Sequence, residues 1–161
     1  MRKNGLTTAG MIVILSAAGV LFLTSLIALF SAKTIYSGDD WYFYYYGVHS
    51  YSYNSAAKSL SEVKIAMGCF TIFALLALMW AFKNKKATAI TGIALASLSS
   101  LISFSMFVTR ISNSSNYAGN LGEVDSVWLA IMFIACIALL VGSILKLVGV
   151  IKLNKQLSQE N

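Results

Sequence analysis

The stretch NGLTTAGMIVILSAAGVLFLTSLIALFSA, residues 4–32, decides the fold. It carries no charge; the nearest charged side chains are Lys3 and Lys33. A hydrocarbon core of about 30 Å is crossed by about 20 apolar residues of helix. This run is long enough, and three more follow: Ile65 to Phe82, Ala87 to Thr109 and Val127 to Leu145. In lipid, backbone N–H and C=O groups find no water, so only helices and closed barrels span. Barrel strands are short and alternate in polarity. These runs are long and uniformly apolar. The sequence therefore predicts an all-α integral membrane protein, a four-transmembrane-helix bundle.

Composition agrees. Of 161 residues, 58% are hydrophobic and 11% are charged. A soluble domain is about a quarter charged, so this chain lacks the charge to cover a water-facing surface. It reads as one membrane domain over 1–161. The expected helices are about 9–32, 60–82, 87–109 and 121–150. An outer loop of about 33–59, a turn at 83–86 and a second outer loop of about 110–120 join them; 151–161 is a tail. The first run is too long for the core of a signal peptide, and in LFSAKT Phe30 stands where a small residue is wanted. It is expected to remain as a span.

Orientation follows from Lys and Arg near the helix ends. One side collects Arg2, Lys3, Lys83, Lys85, Lys86, Lys146, Lys152 and Lys155; the other collects Lys33, Lys58, Lys64 and Arg110. Eight against four places both termini in the cytoplasm of a cell with the plasma (cytoplasmic) membrane as its home. The net charge of +6 lies beside apolar runs and forms no basic block, so no nucleic-acid partner is expected.

Both outer loops end in a similar joint, SLSEVK and NLGEVD. Ser59 with Glu62, and Asn120 with Glu123, have the spacing of a capping box, in which two side chains reciprocally satisfy free amides at a helix start. These joints predict helix starts near Leu60 and Leu121. They also allow a duplicated helical hairpin, with independent capping as the alternative.

Apolar burial does not drive helices together in lipid, whereas close approach at small residues does. The third run offers Thr88, Gly92, Ala96 and Ser100, spaced four apart, with Ser99 and Ser103 beside them. The second offers Ala74, Ala77 and Ala81, the fourth Ala138 and Gly142, and the first Gly10, Ala17, Ala18 and Ser25. The short 83–86 turn predicts that the second and third helices are antiparallel neighbours. Cys69 and Cys136 each sit in an apolar run and read as packing residues.

No ionisable residue lies in the central part of any run, and the chain has no Pro. Proton relays and ion paths use ionisable groups at that depth. No Cys-x-x-Cys, zinc spacing or phosphate loop occurs. Catalysis and cofactors are not expected. His49 with Asp39 and Asp40 is the one conceivable metal cluster, and a plain surface role is preferred. Asn113 heads the sequon NSS, which has meaning only in a glycosylating cell.

The segment GDDWYFYYYGVHSYSYN, residues 38–54, holds nine aromatic rings if His49 is counted. It falls in the first outer loop. Both sides of Gly47 have β preference, and His49, Tyr51 and Tyr53 alternate with polar residues, which predicts a small β-hairpin. Trp41, Tyr42, Tyr44, Tyr45, Tyr46, Tyr51 and Tyr53 form either an aromatic belt at headgroup level or a surface for a partner protein.

The topology resembles that of tetraspan proteins such as claudins and tetraspanins: four helices, inside termini and a larger first outer loop. The resemblance stops there. The paired Cys of the claudin loop and the Cys-Cys-Gly of tetraspanins have no counterpart in this sequence, so topology alone transfers no function. The expected role is that of a non-enzymatic accessory, scaffolding or immunity-type tetraspan. Its partners would be the bilayer and a membrane or extracellular protein. The alternative is an oligomeric channel or small transporter with the serines of the third helix lining the path, which would need homo-oligomers.

Overall fold

The structure, a computed structural model, describes residues 5–35, 49–115, 121–123 and 126–159. Four helices make it up: α1 Gly5–Ser31, α2 His49–Ala81, α3 Lys86–Ser115 and α4 Ser126–Gln159. Two three-residue strands, β1 Lys33–Ile35 and β2 Leu121–Glu123, pair antiparallel. Each helix is long and apolar enough to cross a membrane.

The helices pack as a row, α2–α1–α4–α3, and the two ends of the row touch only slightly. Thr7 of α1 lies beside Gly149 of α4, and Ile14 beside Gly142, so these two central helices run antiparallel. The start of α1, the end of α4 and the turn between α2 and α3 therefore share one end of the bundle, called here the turn end. The two longer connections share the other, the loop end.

Burial explains the packing. In α1 the residues Thr7, Gly10, Ile14, Ala17, Leu21, Thr24 and Ala28 are buried, alternately three and four apart. α2 repeats the pattern with Met67, Phe70, Ala74, Ala77 and Ala81. In α4 it runs Leu129, Met132, Cys136, Leu139, Ser143, Lys146 and Val150. Alternating threes and fours give the average period of 3.5 that belongs to left-handed, knobs-into-holes packing. α3 keeps the same rhythm at Ala89, Gly92 and Ala96, and again at Ser103.

The central helices carry a second buried stripe, one residue per heptad. On α1, and just past its end, this is Ala18, Ser25 and Ala32; on α4 it is Ala135, Gly142 and Gly149. All six are small. A helix with two neighbours needs two contact strips, and small side chains let the backbones come close. A Cβ built on Gly10 would stand 2.7 Å from the Lys146 backbone nitrogen and 2.8 Å from the Gly142 carbonyl oxygen. One built on Gly149 would stand 2.6 Å from the Thr7 backbone nitrogen. The outward surface is the opposite: Leu23, Phe30, Ile72, Met79, Leu101 and Ile134 are exposed. Such an apolar exterior suits hydrocarbon and would be a large sticky patch in water.

Several sequence expectations are corrected. The strand expected over His49–Asn54 is the beginning of α2; its partner arm, Trp41 to Tyr46, lies outside the described residues. Tyrosine's strand preference depends on context. Lengthening an existing helix needs no new nucleus, whereas a lone hairpin is marginal. Ser59 and Glu62 consequently lie inside α2 rather than at its cap. Glu123 pairs in β2, and α4 begins only at Ser126; Asn120 lies outside the described residues. The two joints therefore fold differently despite their similar sequences. A parallel duplication with two-fold symmetry would also make the α1–α4 and α3–α2 contacts alike, yet the first is extensive and the second slight. The neighbours expected from the short turn, α2 and α3, thus touch only slightly, because only α1 and α4 have the second small stripe. α4 runs to Gln159, past the expected end at 150.

Candidate functional site

Three places in the bundle gather polar or aromatic side chains. At the turn end, Lys146 is 1% exposed although it is a lysine in the buried seam of α4. Its Nζ donates to the carbonyl oxygens of Trp80 and Ala81, each at 2.7 Å. These are carbonyls of the last turn of α2, which have no partner within the helix. A cation there also meets the negative end of the helix dipole. The side chain thus acts as a C-cap supplied by another helix. The turn beyond it is closed without Gly: Lys83 N–H donates to the Trp80 carbonyl at 3.0 Å and Ala89 N–H to the Lys85 carbonyl at 3.2 Å. The Thr88 hydroxyl lies 2.7 Å from the Lys85 carbonyl and 3.2 Å from that of Lys83. Thr88, expected in a packing stripe, therefore serves the turn.

Trp80 completes this corner. Its ring meets Phe73 edge-on, with centroids 5.6 Å apart. It lies against the bare backbone of Gly92, next to the Ser143 hydroxyl. Its buried Nε1 donates to nothing among the described residues.

At mid-bundle the Ser25 and Thr71 hydroxyls lie 2.9 Å apart and tie α1 to α2. Ser25 also lies 3.1 Å from the Phe22 carbonyl and Thr71 3.0 Å from the Met67 carbonyl. Two protons serve three contacts, so one contact is always unfilled. Across the bundle, Ala96 and Gly92 of α3 are buried, and Ser100 is half-buried and bonds its own Ala96 carbonyl at 2.8 Å. The seam of α3 follows threes and fours, so the four-apart stripe Thr88, Gly92, Ala96, Ser100 drifts off it. Ala138 is half-buried beside the buried Gly142. Ser103 is buried, and its hydroxyl has no hydrogen-bond partner among the described residues. An open groove of about 410 Å³ runs between α3 and α4, lined by Ser97, Ser100, Leu101, Phe104, Phe133 and Leu140. The lining is almost entirely apolar, and the Phe104 and Phe133 rings sit 5.3 Å apart.

At the loop end, β1 and β2 join the exit of α1 to the approach to α4. The register sets Lys33 opposite Glu123, Thr34 opposite Gly122 and Ile35 opposite Leu121. The ribbon lies against α2. Trp41, Tyr42, Tyr44, Tyr45 and Tyr46 lie outside the described residues. Tyr51 and Tyr53 fall in the first turns of α2. There the backbone period is 3.6 rather than 2, so the alternation of His49, Tyr51 and Tyr53 no longer marks a face. Asp39 and Asp40 lie outside the described residues; among those described, no three His, Cys, Asp or Glu come together to hold a metal. Asn113 lies in the last turn of α3. Cys136 is buried in the α4 seam, whereas Cys69 is exposed on the outer face of α2, and neither forms a disulfide.

The sequence pointed to the aromatic loop and the small residues. It missed the cap formed by Lys146, whose one signal is a lysine placed three after Ser143 and four before Val150 on the buried rhythm. Compared with known proteins, the chain matches no protein-family model, no curated protein and no solved structure.

Proposed function

We propose that this protein is a non-enzymatic tetraspan of the plasma membrane, an accessory, scaffolding or immunity-type protein that contacts a membrane or extracellular protein through its loop end. Both termini lie in the cytoplasm, following the excess of Lys and Arg at the turn end. The observation that carries the proposal is how the chain spends its polar chemistry. Lys146, the one charge in a buried seam among the described residues, is consumed by a helix cap. In sequence the aromatic rings concentrate in the first outer connection, and the β1–β2 ribbon joins the flanks of both outer connections. Tyr and Trp give large contact area with a polar tip and dominate binding surfaces for that reason.

The test is crosslinking from the loop end in intact cells. One recurrent protein should be captured, and capture should fail when Tyr44, Tyr45 and Tyr46 become Ser. Unchanged capture by that variant would end the proposal.

A second function, an oligomeric channel or small transporter, draws support from the buried, unpartnered Ser103 hydroxyl. It requires ion or solute flux in proteoliposomes that disappears on Ser99→Leu or Ser103→Leu. Absence of flux at any protein density would remove it.

A further inference from the structure

The outward face of each of α2, α3 and α4 changes character at the turn end. On α4 the exposed stripe Val141, Ile144, Val148 and Ile151 continues, at the same three-four spacing, to Lys155, with Lys152 beside it. On α2 the stripe Ile72, Leu76 and Met79 runs out at the turn, where Lys83 is exposed. On α3, Lys86 stands one turn before exposed Ile90. Lys85 lies between them in the turn. All five lysines are exposed, and among the described residues this end has no carboxylate. At the other end of the same α2 stripe the exposed charges are mixed, Glu62 and Lys64.

We propose that this collar of lysines binds the headgroups of anionic phospholipids. The lysines stand where the apolar exterior of the helices ends, and on a spanning bundle that boundary meets the headgroup layer. Their aliphatic stems extend the apolar exterior and their ammoniums reach the headgroup layer. Among the described residues no carboxylate stands at this end to neutralise the ammoniums. Inside the turn the carbonyls of Trp80 and Ala81 are engaged by Lys146 and that of Lys85 by Thr88 and Ala89, while that of Lys83 lies 3.2 Å from the Thr88 hydroxyl. Five cations therefore stand at the turn, at the start of α3 and on one face of α4, with no carboxylate partner among the described residues. A phosphodiester with net negative charge satisfies them, whereas a zwitterionic headgroup brings its own cation.

The experiment reconstitutes the full chain in vesicles of equal phosphatidylglycerol and phosphatidylcholine. It is then extracted in mild detergent, and the retained lipid is quantified by mass spectrometry. The wild type should retain phosphatidylglycerol in preference by at least about fivefold, the factor expected from a single lysine near an anionic surface. The preference should fall as salt is raised, because exposed charges are screened. It should vanish in the variant with Lys83, Lys85, Lys86, Lys152 and Lys155 all changed to Gln, and persist in Lys64→Gln. Helix content by circular dichroism shows that both variants are folded. Equal retention of the two lipids would overturn the proposal and leave the collar to an acidic protein. Survival of the preference in the five-lysine variant would overturn it too, as would its loss on adding inorganic phosphate at matched ionic strength.

Discussion

Replacing glycines one at a time by alanine separates the close approach of α1 and α4 from ordinary helix chemistry. In a helix interior Ala is better than Gly by about 1 kcal/mol. Where the new methyl has room, Gly→Ala should therefore stabilise. Gly19 and Gly68 have nothing within 4 Å of the added Cβ, so both substitutions should be neutral or favourable. Gly10 and Gly149 differ. Their methyls would fall 2.7 Å and 2.6 Å from backbone nitrogens of the facing helix, where ordinary contact begins near 3.4 Å. Those atoms belong to helix backbone and cannot rotate away. The helices must separate by about 0.7 Å locally, and the contacts on either side loosen with them. Overpacking of this kind costs about 1–3 kcal/mol. Against the helix gain, a net loss of about 0–2 kcal/mol remains at each site, where the unhindered glycines show a gain. Gly92 is intermediate: its nearest neighbours, the Ser143 hydroxyl at 3.2 Å and the Trp80 ring at 3.4 Å, are side chains that can shift. The assay is unfolding in mixed micelles by graded addition of sodium dodecyl sulfate, followed by circular dichroism. The predicted order of stability is Gly68→Ala and Gly19→Ala, then Gly92→Ala, then Gly10→Ala and Gly149→Ala. If the last two were as stable as the first two, α1 and α4 would not cross where the structure puts them.

The same assay tests Lys146→Met, which keeps the stem and removes the cap; it should lose about 2–4 kcal/mol, since hydrogen bonds from a charged donor are the stronger kind. A double-mutant cycle of Ser25→Ala with Thr71→Val should give a coupling of about 0.6 kcal/mol, the usual size for an interhelical hydrogen bond in a membrane. No measurable coupling would mean that both hydroxyls bond their own helices. With Cys69 and Cys136 changed to Ser, Thr34→Cys with Gly122→Cys should form a disulfide on mild oxidation, because directly opposed strand positions lie within bonding reach. Thr34→Cys with Leu121→Cys, one position out of register, should form it far more slowly; equal rates would dissolve the ribbon.

How much of this was legible follows from what each feature depends on. The four spans depend on apolar length alone, and length is local. The small residues Gly10, Ala17, Ala18 and Ser25 were visible for the same reason. Which helices touch was not. The short turn favoured α2 against α3, since chain connection is the one long-range fact a sequence displays. The competing fact, a second small stripe on α1 and α4, emerges only when burial sorts Ala135, Gly142 and Gly149 from the other small residues of α4. The start of α2 misled in a different way. His49, Tyr51 and Tyr53 alternate as a strand does, but alternation over six residues is weaker than the cooperative extension of a long helix. The capping boxes failed because Ser-x-x-Glu also fits a helix interior, and because Glu123 had a strand partner, Lys33, ninety positions earlier.

Lys146 shows the same limit at a single residue, and it also shows why a charge persists there. Its acceptors are backbone carbonyls of α2, which have no signature in sequence. A lysine in a buried seam is costly unless its ammonium finds them. If α4 slid by one heptad relative to α2, Leu139 or Leu153 would stand at the carbonyls of Trp80 and Ala81, and the ammonium would be stranded. A lone polar residue in a repeating seam fixes register in coiled coils by this penalty. The rest of the α4 seam, Leu129, Met132, Cys136, Leu139, Ser143 and Val150, is uncharged and supplies little else to tell one register from the next. Lys146 therefore specifies alignment as well as adding stability. Lys146→Leu distinguishes the two roles: crosslinks between cysteines placed on α2 and α4 should spread over neighbouring heptads in that variant, while in the wild type they form in one register only.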